Sequence, residues 1–135
     1  MTDQGHDFAE VGALVRRGKL TAALSAMAQV APSDTETTAF KTTRAEILMR
    51  MGRLTDAMTD LGDVSNDAAT PVYWSVRADV EERLGHLQDA LASLNAAALL
   101  QETSRILARR STLKTSLGDF EGARADLERA MALDP

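Results

Sequence analysis

A seven-residue pattern that opens on glycine recurs four times in this chain, and its spacing constrains the fold more than any other feature. The four copies are Gly18-Lys19-Leu20-Thr21-Ala22-Ala23-Leu24, Gly52-Arg53-Leu54-Thr55-Asp56-Ala57-Met58, Gly85-His86-Leu87-Gln88-Asp89-Ala90-Leu91 and Gly118-Asp119-Phe120-Glu121-Gly122-Ala123-Arg124. Their glycines lie 34, 33 and 33 residues apart. A fixed period of this size is the mark of a chain built from one supersecondary unit stacked on itself.

Around each glycine the apolar residues recur at gaps of three and four. Before Gly52 they are Ala45, Leu48, Met49 and Met51; after it come Ala57, Met58, Leu61 and Val64. That spacing predicts two amphipathic helices per repeat, with the glycine at the break. Glycine suits the break because the residue just past a helix often takes positive φ, which costs other residues about 1–2 kcal/mol. Two residues on, Leu20, Leu54, Leu87 and Phe120 are expected to plug the elbow of the hairpin. Five residues on, Ala23, Ala57, Ala90 and Ala123 leave room for the second helix to lie close against the first.

This pattern resembles the tetratricopeptide repeat, a helix-turn-helix unit of about 34 residues. The resemblance covers residues 4 to 135 and extends to Trp74, to the small residues Ala45, Ala78 and Ser111, and to the closing Ala130-Met131-Ala132-Leu133-Asp134-Pro135. Only the fourth repeat ends in the family's Asp-Pro, and the third has Glu81 where a large apolar or aromatic residue is usual. The resemblance implies an all-α fold, a right-handed superhelix of four antiparallel helix hairpins and eight helices. The chain is then a single domain, with repeats at about 4–33, 34–67, 70–103 and 104–135.

Composition narrows the function. The net charge is −5 with acids and bases interspersed, which disfavours nucleic acid and anionic membrane as partners. With no cysteine, disulfides, thiolate chemistry and Cys-ligated zinc are excluded. The first ten residues hold three acids and no Lys or Arg, the wrong charge for a signal peptide, and the most apolar run, Ala90 to Leu100, is too short to span a bilayer. A cytoplasmic protein is expected. Arginine outnumbers lysine 12 to 3, which suggests a bacterial source.

The second helices of the first and third hairpins are apolar almost all round, so they are expected to be covered on more than one side. Ser33-Asp34-Thr35-Glu36 has a capping-box pattern, and Thr70-Pro71 reads as an N-cap followed by proline at the first helical position. The last helix carries Glu121, Arg124, Asp126, Glu128 and Arg129, leaving Ala123, Leu127, Ala130 and Met131 as an inner stripe. It is expected to close the stack with a polar outer face.

No catalytic set emerges, and neither a metal nor a cofactor is expected. His6 and His86 are 80 residues apart, and His86 falls in a turn where Lys19, Arg53 and Asp119 hold the matching places. Gly12 to Gly18-Lys19 departs from a phosphate loop in spacing, and Leu20 stands where Ser or Thr would bind Mg²⁺. Glu81 and Glu82 are neighbours on a helix and so point in different directions.

In tetratricopeptide proteins the first helix of each hairpin lines a concave face that holds an extended peptide or a partner's helix. Carried onto this sequence, the resemblance places that face at Phe8, Gly12, Val15 and Arg16; at Thr42, Glu46, Met49 and Arg50; at Val72, Ser75, Asp79, Glu82 and Arg83; and at Arg105, Ala108, Arg109, Thr112 and Thr115. Glu46 with Arg50, and Asp79 with Arg83, are also spaced to pair along their own helices. Arg105, Arg109, Arg110 and Lys114 carry no acid among them, so this end of the face is a candidate to accept an acidic segment of a partner. It is not a chaperone carboxylate clamp, because Thr42 and Glu46 stand where that clamp has lysine and asparagine. Arg44, Arg77 and Arg110 form a second ladder, eight positions before each glycine, whose stems are expected to pack between hairpins while their guanidiniums meet acids or carbonyls.

The expected function is a non-enzymatic scaffold that binds a protein or peptide. A regulatory or substrate-recruiting segment of a longer enzyme, or a self-associating homo-oligomer, are the alternatives.

Overall fold

Gly18, Gly52, Gly85 and Gly118 have φ of 74, 82, 84 and 89°, and no other residue type among those described has positive φ. Each sits just past a helix, in the same motif. The glycine N–H donates to the carbonyl three residues back (Val15, Met49, Glu82, Thr115), and the next N–H donates to the carbonyl five back (Leu14, Leu48, Glu81, Lys114), all at 2.8–3.1 Å. This double closure satisfies carbonyls that the helix end would leave bare. A Cβ at any of the four would meet nothing within 4 Å, so backbone conformation and not crowding selects glycine.

The computed structural model of the protein describes residues 8–29 and 37–135, with the side chains of Phe8 and Ala9 excepted. Eight α-helices result among them: α1 Phe8–Arg16, α2 Leu20–Met27, α3 Thr38–Arg50, α4 Leu54–Gly62, α5 Pro71–Arg83, α6 Leu87–Leu100, α7 Ser104–Ser116 and α8 Phe120–Leu133, with one 3₁₀ turn at Asn66–Ala68. No strand occurs among the described residues. The chain divides into two units, Met1–Ala68 and Ala69–Pro135, of two hairpins each.

In the first unit α1 packs on α2, α3 on α4, and α3 also touches α1 and α2. Val11, Val15, Ala23, Ala26, Met27, Phe40 and Ile47 form its core, flanked by Leu14, Leu20 and Leu24. In the second unit α6 is shared between α5 and α7, and α7 pairs with α8. Ala78, Ala90, Leu94 and Leu113 make a core cluster there, with Leu87, Leu91 and Leu117 against it. Ala23, Ala57 and Ala90 are fully buried and Ala123 nearly so, as the close approach of paired helices requires.

Three threonines start the first helices. Thr37, Thr70 and Thr103 each accept a 3.1 Å hydrogen bond from the backbone N–H three residues on, at Phe40, Tyr73 and Ile106. The capping-box pattern at residues 33–36 lies outside the described residues; α3 begins at Thr38, capped by Thr37.

Three expectations change. Leu20, Leu54 and Leu87 are half-buried at their elbows, but Phe120 is 67% exposed. The outer side of α2 and α6 faces solvent through Ala22, Ala28, Ala92 and Leu99, so alanine there marks an open side. Leu127 and Met131, assigned to the inner stripe of α8, are 47% and 68% exposed; Ala123, Asp126 and Ala130 are the residues that turn inward.

Candidate partner-binding faces and the polar staples beneath them

The arginine ladder is the most ordered polar feature of the chain, and it works inside each hairpin. Arg44 of α3 donates through Nε and Nη2 to both oxygens of Asp60 on α4, at 2.7 and 2.6 Å. Arg110 of α7 does the same to Asp126 on α8, at 2.8 and 2.7 Å, and reaches Asn95 of α6 at 3.1 Å. Lys114 adds a second cation to Asp126 at 3.0 Å. Asp60 and Asp126 are 7% and 5% exposed while Arg44 and Arg110 stay partly in solvent, so each two-pronged bridge joins a hairpin's two helices with its acid buried and its cation half-covered.

The third hairpin makes the same staple with its parts moved. The position of Asp60 and Asp126 is there Ser93, and the acid has shifted to Glu81 on the first helix. Ser93 Oγ donates to Glu81 Oε1 at 2.6 Å, while Arg77 reaches Glu81 Oε2 at 3.3 Å and the Tyr73 hydroxyl at 2.8 Å. Glu81, where the resemblance has a large apolar residue, is therefore the acid of the staple. Arg44 also lies over Phe40, and Arg77 over Trp74. The ladder reading placed these arginines between neighbouring hairpins; the acids they meet belong instead to their own hairpins, and Arg110 reaches the neighbouring one through Asn95.

Electrostatics follow the geometry. Burial alone pushes the Asp126 carboxyl up, but hydrogen bonds from Arg110 and Lys114 outweigh it and hold the group below the usual carboxylate range. The hydrogen bond to Asp126 holds Arg110 protonated above its ordinary range, against the burial that opposes it.

The face drawn from the first helices divides into surface and support. In the first unit Val15, Thr42 and Met49 are buried; Val15 belongs to the core. Thr42 Oγ1 is the one buried side-chain polar atom among the described residues with no hydrogen-bond partner. Arg16 is exposed and lies back toward Gly12, whose added Cβ would meet its Nη1 at 3.4 Å. Glu46 and Arg50 pair along α3 at 2.8 Å, as their spacing suggests. The Phe8 side chain lies outside the described residues.

In the second unit Asp79 does not pair with Arg83. It bonds Arg109 of α7, which also reaches the Ser75 carbonyl at 3.5 Å, so one guanidinium ties α5 to α7. The run of basic residues on α7 is consequently not an open positive patch. Arg109 is bound to Asp79, Arg110 and Lys114 to Asp126, and of these four only Arg105 is exposed without an ion pair to a described residue. Val72 is 64% exposed, Glu82, Arg83, Thr112 and Thr115 are exposed, and Ser75 and Ala108 are half-buried. Thr112 and Thr115 turn their hydroxyls back to the Ala108 and Ser111 carbonyls, at 3.2 and 3.0 Å.

Among the described residues no cluster of His, Asp and Glu could hold a metal ion, and no helix is long and apolar enough to cross a membrane.

Four glycine-closed hairpins on one period, eight helices and no described strand define an all-α helical-repeat protein, and solved structures place the fold more narrowly. The protein has the fold of tetratricopeptide repeat proteins. It is similar to a crystal structure of the protein MamA at 17% identity and a TM-score of 0.79, over 96% of this chain and 76% of that one. A thermophilic tetratricopeptide repeat protein of Thermus thermophilus matches at 22% identity and 0.78, over 93% and 71%. Another from Parabacteroides merdae matches at 21% and 0.77, over 93% of this chain and 51% of its own. No family model and no curated protein sequence matches the chain.

Proposed function

We propose that this chain is a non-enzymatic protein-interaction module that takes an extended peptide or a partner's helix on the faces of its first helices. The fold it shares with tetratricopeptide repeat proteins supports that reading, and the observation that carries it is the Arg109 bridge. By holding Asp79 and the Ser75 carbonyl together, Arg109 fixes α5 beside α7 and makes one surface of two helices. One turn earlier in the same register stand Arg105 and the exposed Val72, a lone cation beside an apolar side chain.

That pair suits a peptide segment with an acidic residue next to an apolar one. An acidic residue would find a guanidinium free of internal competition, and the neighbouring side chain would cover Val72. The rest of the face (Ser75, Glu82, Arg83, Ala108, Thr112) supplies a mixed polar rim.

The test is a titration of the chain with a panel of acidic-apolar peptides and charge-reversed controls. Arg105→Glu should abolish the preference for acidic peptides while leaving the helical signal unchanged. Acidic peptides held equally well by Arg105→Glu and by wild type would refute the assignment.

A further inference from the structure

The last helix keeps an apolar seam open. Residues 120, 124, 127 and 131 of α8 fall within about 60° of one another around its axis, and Phe120, Leu127 and Met131 are 67%, 47% and 68% exposed. The matching residues of α6, 33 positions earlier, are Leu87, Leu91, Leu94 and Ala98. There Leu94 is fully buried, clustered with Leu113 of α7, while Leu87, Leu91 and Leu117 lie against that cluster. The seam of α6 is roofed by the next hairpin. The seam of α8 has the same apolar character at three of four positions and no described residue over it.

Its complement is to be sought among the other exposed apolar side chains. Outside α8 the large ones, among the described residues, are Met51, Val72, Leu99 and Leu100, and no two of them are spaced to form a stripe along a helix face. The described part of α1, the first hairpin's outer candidate, exposes none. Among the described residues, the surface that matches the α8 seam is a second α8.

We propose that this chain forms a two-fold dimer in which α8 packs antiparallel against α8 of a second copy. The pattern is self-complementary, as a two-fold contact demands. With the axis between positions 125 and 126, Phe120 of each copy meets Met131 of the other, an aromatic ring against a thioether. Arg124 then lies over Leu127 of the second copy and beside its Glu128. Within one chain Arg124 and Glu128 are only loosely paired, at 4.0 Å and with 80% and 73% of their side chains exposed. Across the axis the same two charges pair twice. The seam offers on the order of 300–400 Å² of apolar surface per copy, so the dimer stands at the small, concentration-dependent end of specific interfaces.

Sedimentation velocity on the 135-residue chain from about 10 μM to 1 mM should show mass rising from one chain to two. Leu127→Glu should raise the dissociation constant at least about tenfold, with helical circular dichroism unchanged. Arg124→Glu and Glu128→Arg should each weaken the dimer, and the two exchanged together should restore it, because both cross-axis pairs re-form with reversed sign. A chain that stays monomeric throughout, open-ended growth beyond two chains, association untouched by Leu127→Glu, or a double exchange no tighter than the single variants would each overturn the proposal.

Discussion

Ser93→Asp should be badly tolerated alone and well tolerated together with Glu81→Leu. Ser93 Oγ sits 2.6 Å from Glu81 Oε1, and the two residues are 3% and 4% exposed. An aspartate at 93 sets two carboxylates within contact distance where little water reaches. Like charges about 4 Å apart repel by about 4 kcal/mol at an effective dielectric near 20, and Arg77 offsets part of that, so a net loss of about 2–3 kcal/mol is expected. Glu81→Leu alone removes the acceptor of both Arg77 and Ser93. Arg77 keeps the Tyr73 hydroxyl at 2.8 Å, which limits this loss to about 1–2 kcal/mol. Together the changes give the third hairpin the pattern of the second and fourth, leucine or lysine on the first helix and aspartate on the second, so Arg77 can bridge to position 93 as Arg110 bridges to Asp126. The double variant should fall within about 1 kcal/mol of wild type, a coupling of about 2–5 kcal/mol. Urea denaturation of the four proteins at pH 7 measures it. Losses that simply add would show that the staples are not interchangeable and that their shared period is incidental.

Acid should act through Asp126. Its folded pKa is depressed, so the folded chain binds fewer protons there; the stabilisation is in full force above about pH 4 and is lost as pH falls through the lower folded value. Asp126→Asn should therefore lower stability at pH 7 by about 2–4 kcal/mol and flatten the acid limb of a stability-against-pH curve, and an acid limb of unchanged steepness would contradict this. Gly85→Ala should cost about 1–2 kcal/mol in urea midpoints through its φ of 84° alone, since nothing lies within 4 Å of the added Cβ; a loss beyond about 3 kcal/mol would mean that the chain must move to admit it. Ala90→Leu, at a fully buried contact between α5 and α6, should overpack it and cost about 1–3 kcal/mol by thermal melting, and an unchanged melting temperature would count against close packing there.

What could be read from the sequence was whatever repeats at fixed spacing with a local cause. Glycine at the helix end, alanine five residues on and the start of α5 at Thr70-Pro71 all follow from backbone conformation or from the steric needs of one hairpin, and all appear where expected. Thr37 and Thr103 were equally legible, since they repeat Thr70 at 33 residues, but hydrophobic period alone does not reveal caps. The row Asp60, Ser93, Asp126 carries the same period and escapes notice because its middle member exchanges its acid for a hydroxyl. Pairings that join different helices stayed hidden for another reason. Asp79 has Arg83 four residues away and Arg109 thirty away, and local spacing favours the near cation, whereas the packed helices deliver the far one.

The same limit explains why the first unit offers less binding surface than its residue types suggest. α3 touches α1, α2 and α4, and it buries Phe40, Lys41, Thr42, Ala45, Ile47, Leu48 and Met49, which together cover about 220° of the helix. An arc of about 140° is left for a partner, and the Glu46–Arg50 pair stands in the middle of it. A repeat position assigned to the binding face by analogy becomes support when its helix serves three neighbours. α7 differs: it packs on α6 and α8, and it meets α5 through the Arg109 side chain, which leaves Arg105, Thr112 and Thr115 in solvent. Partner recognition that depends on the first helices should for that reason respond more strongly to charge reversal at Arg105 than at Arg50, whose charge is already met by Glu46 on its own helix.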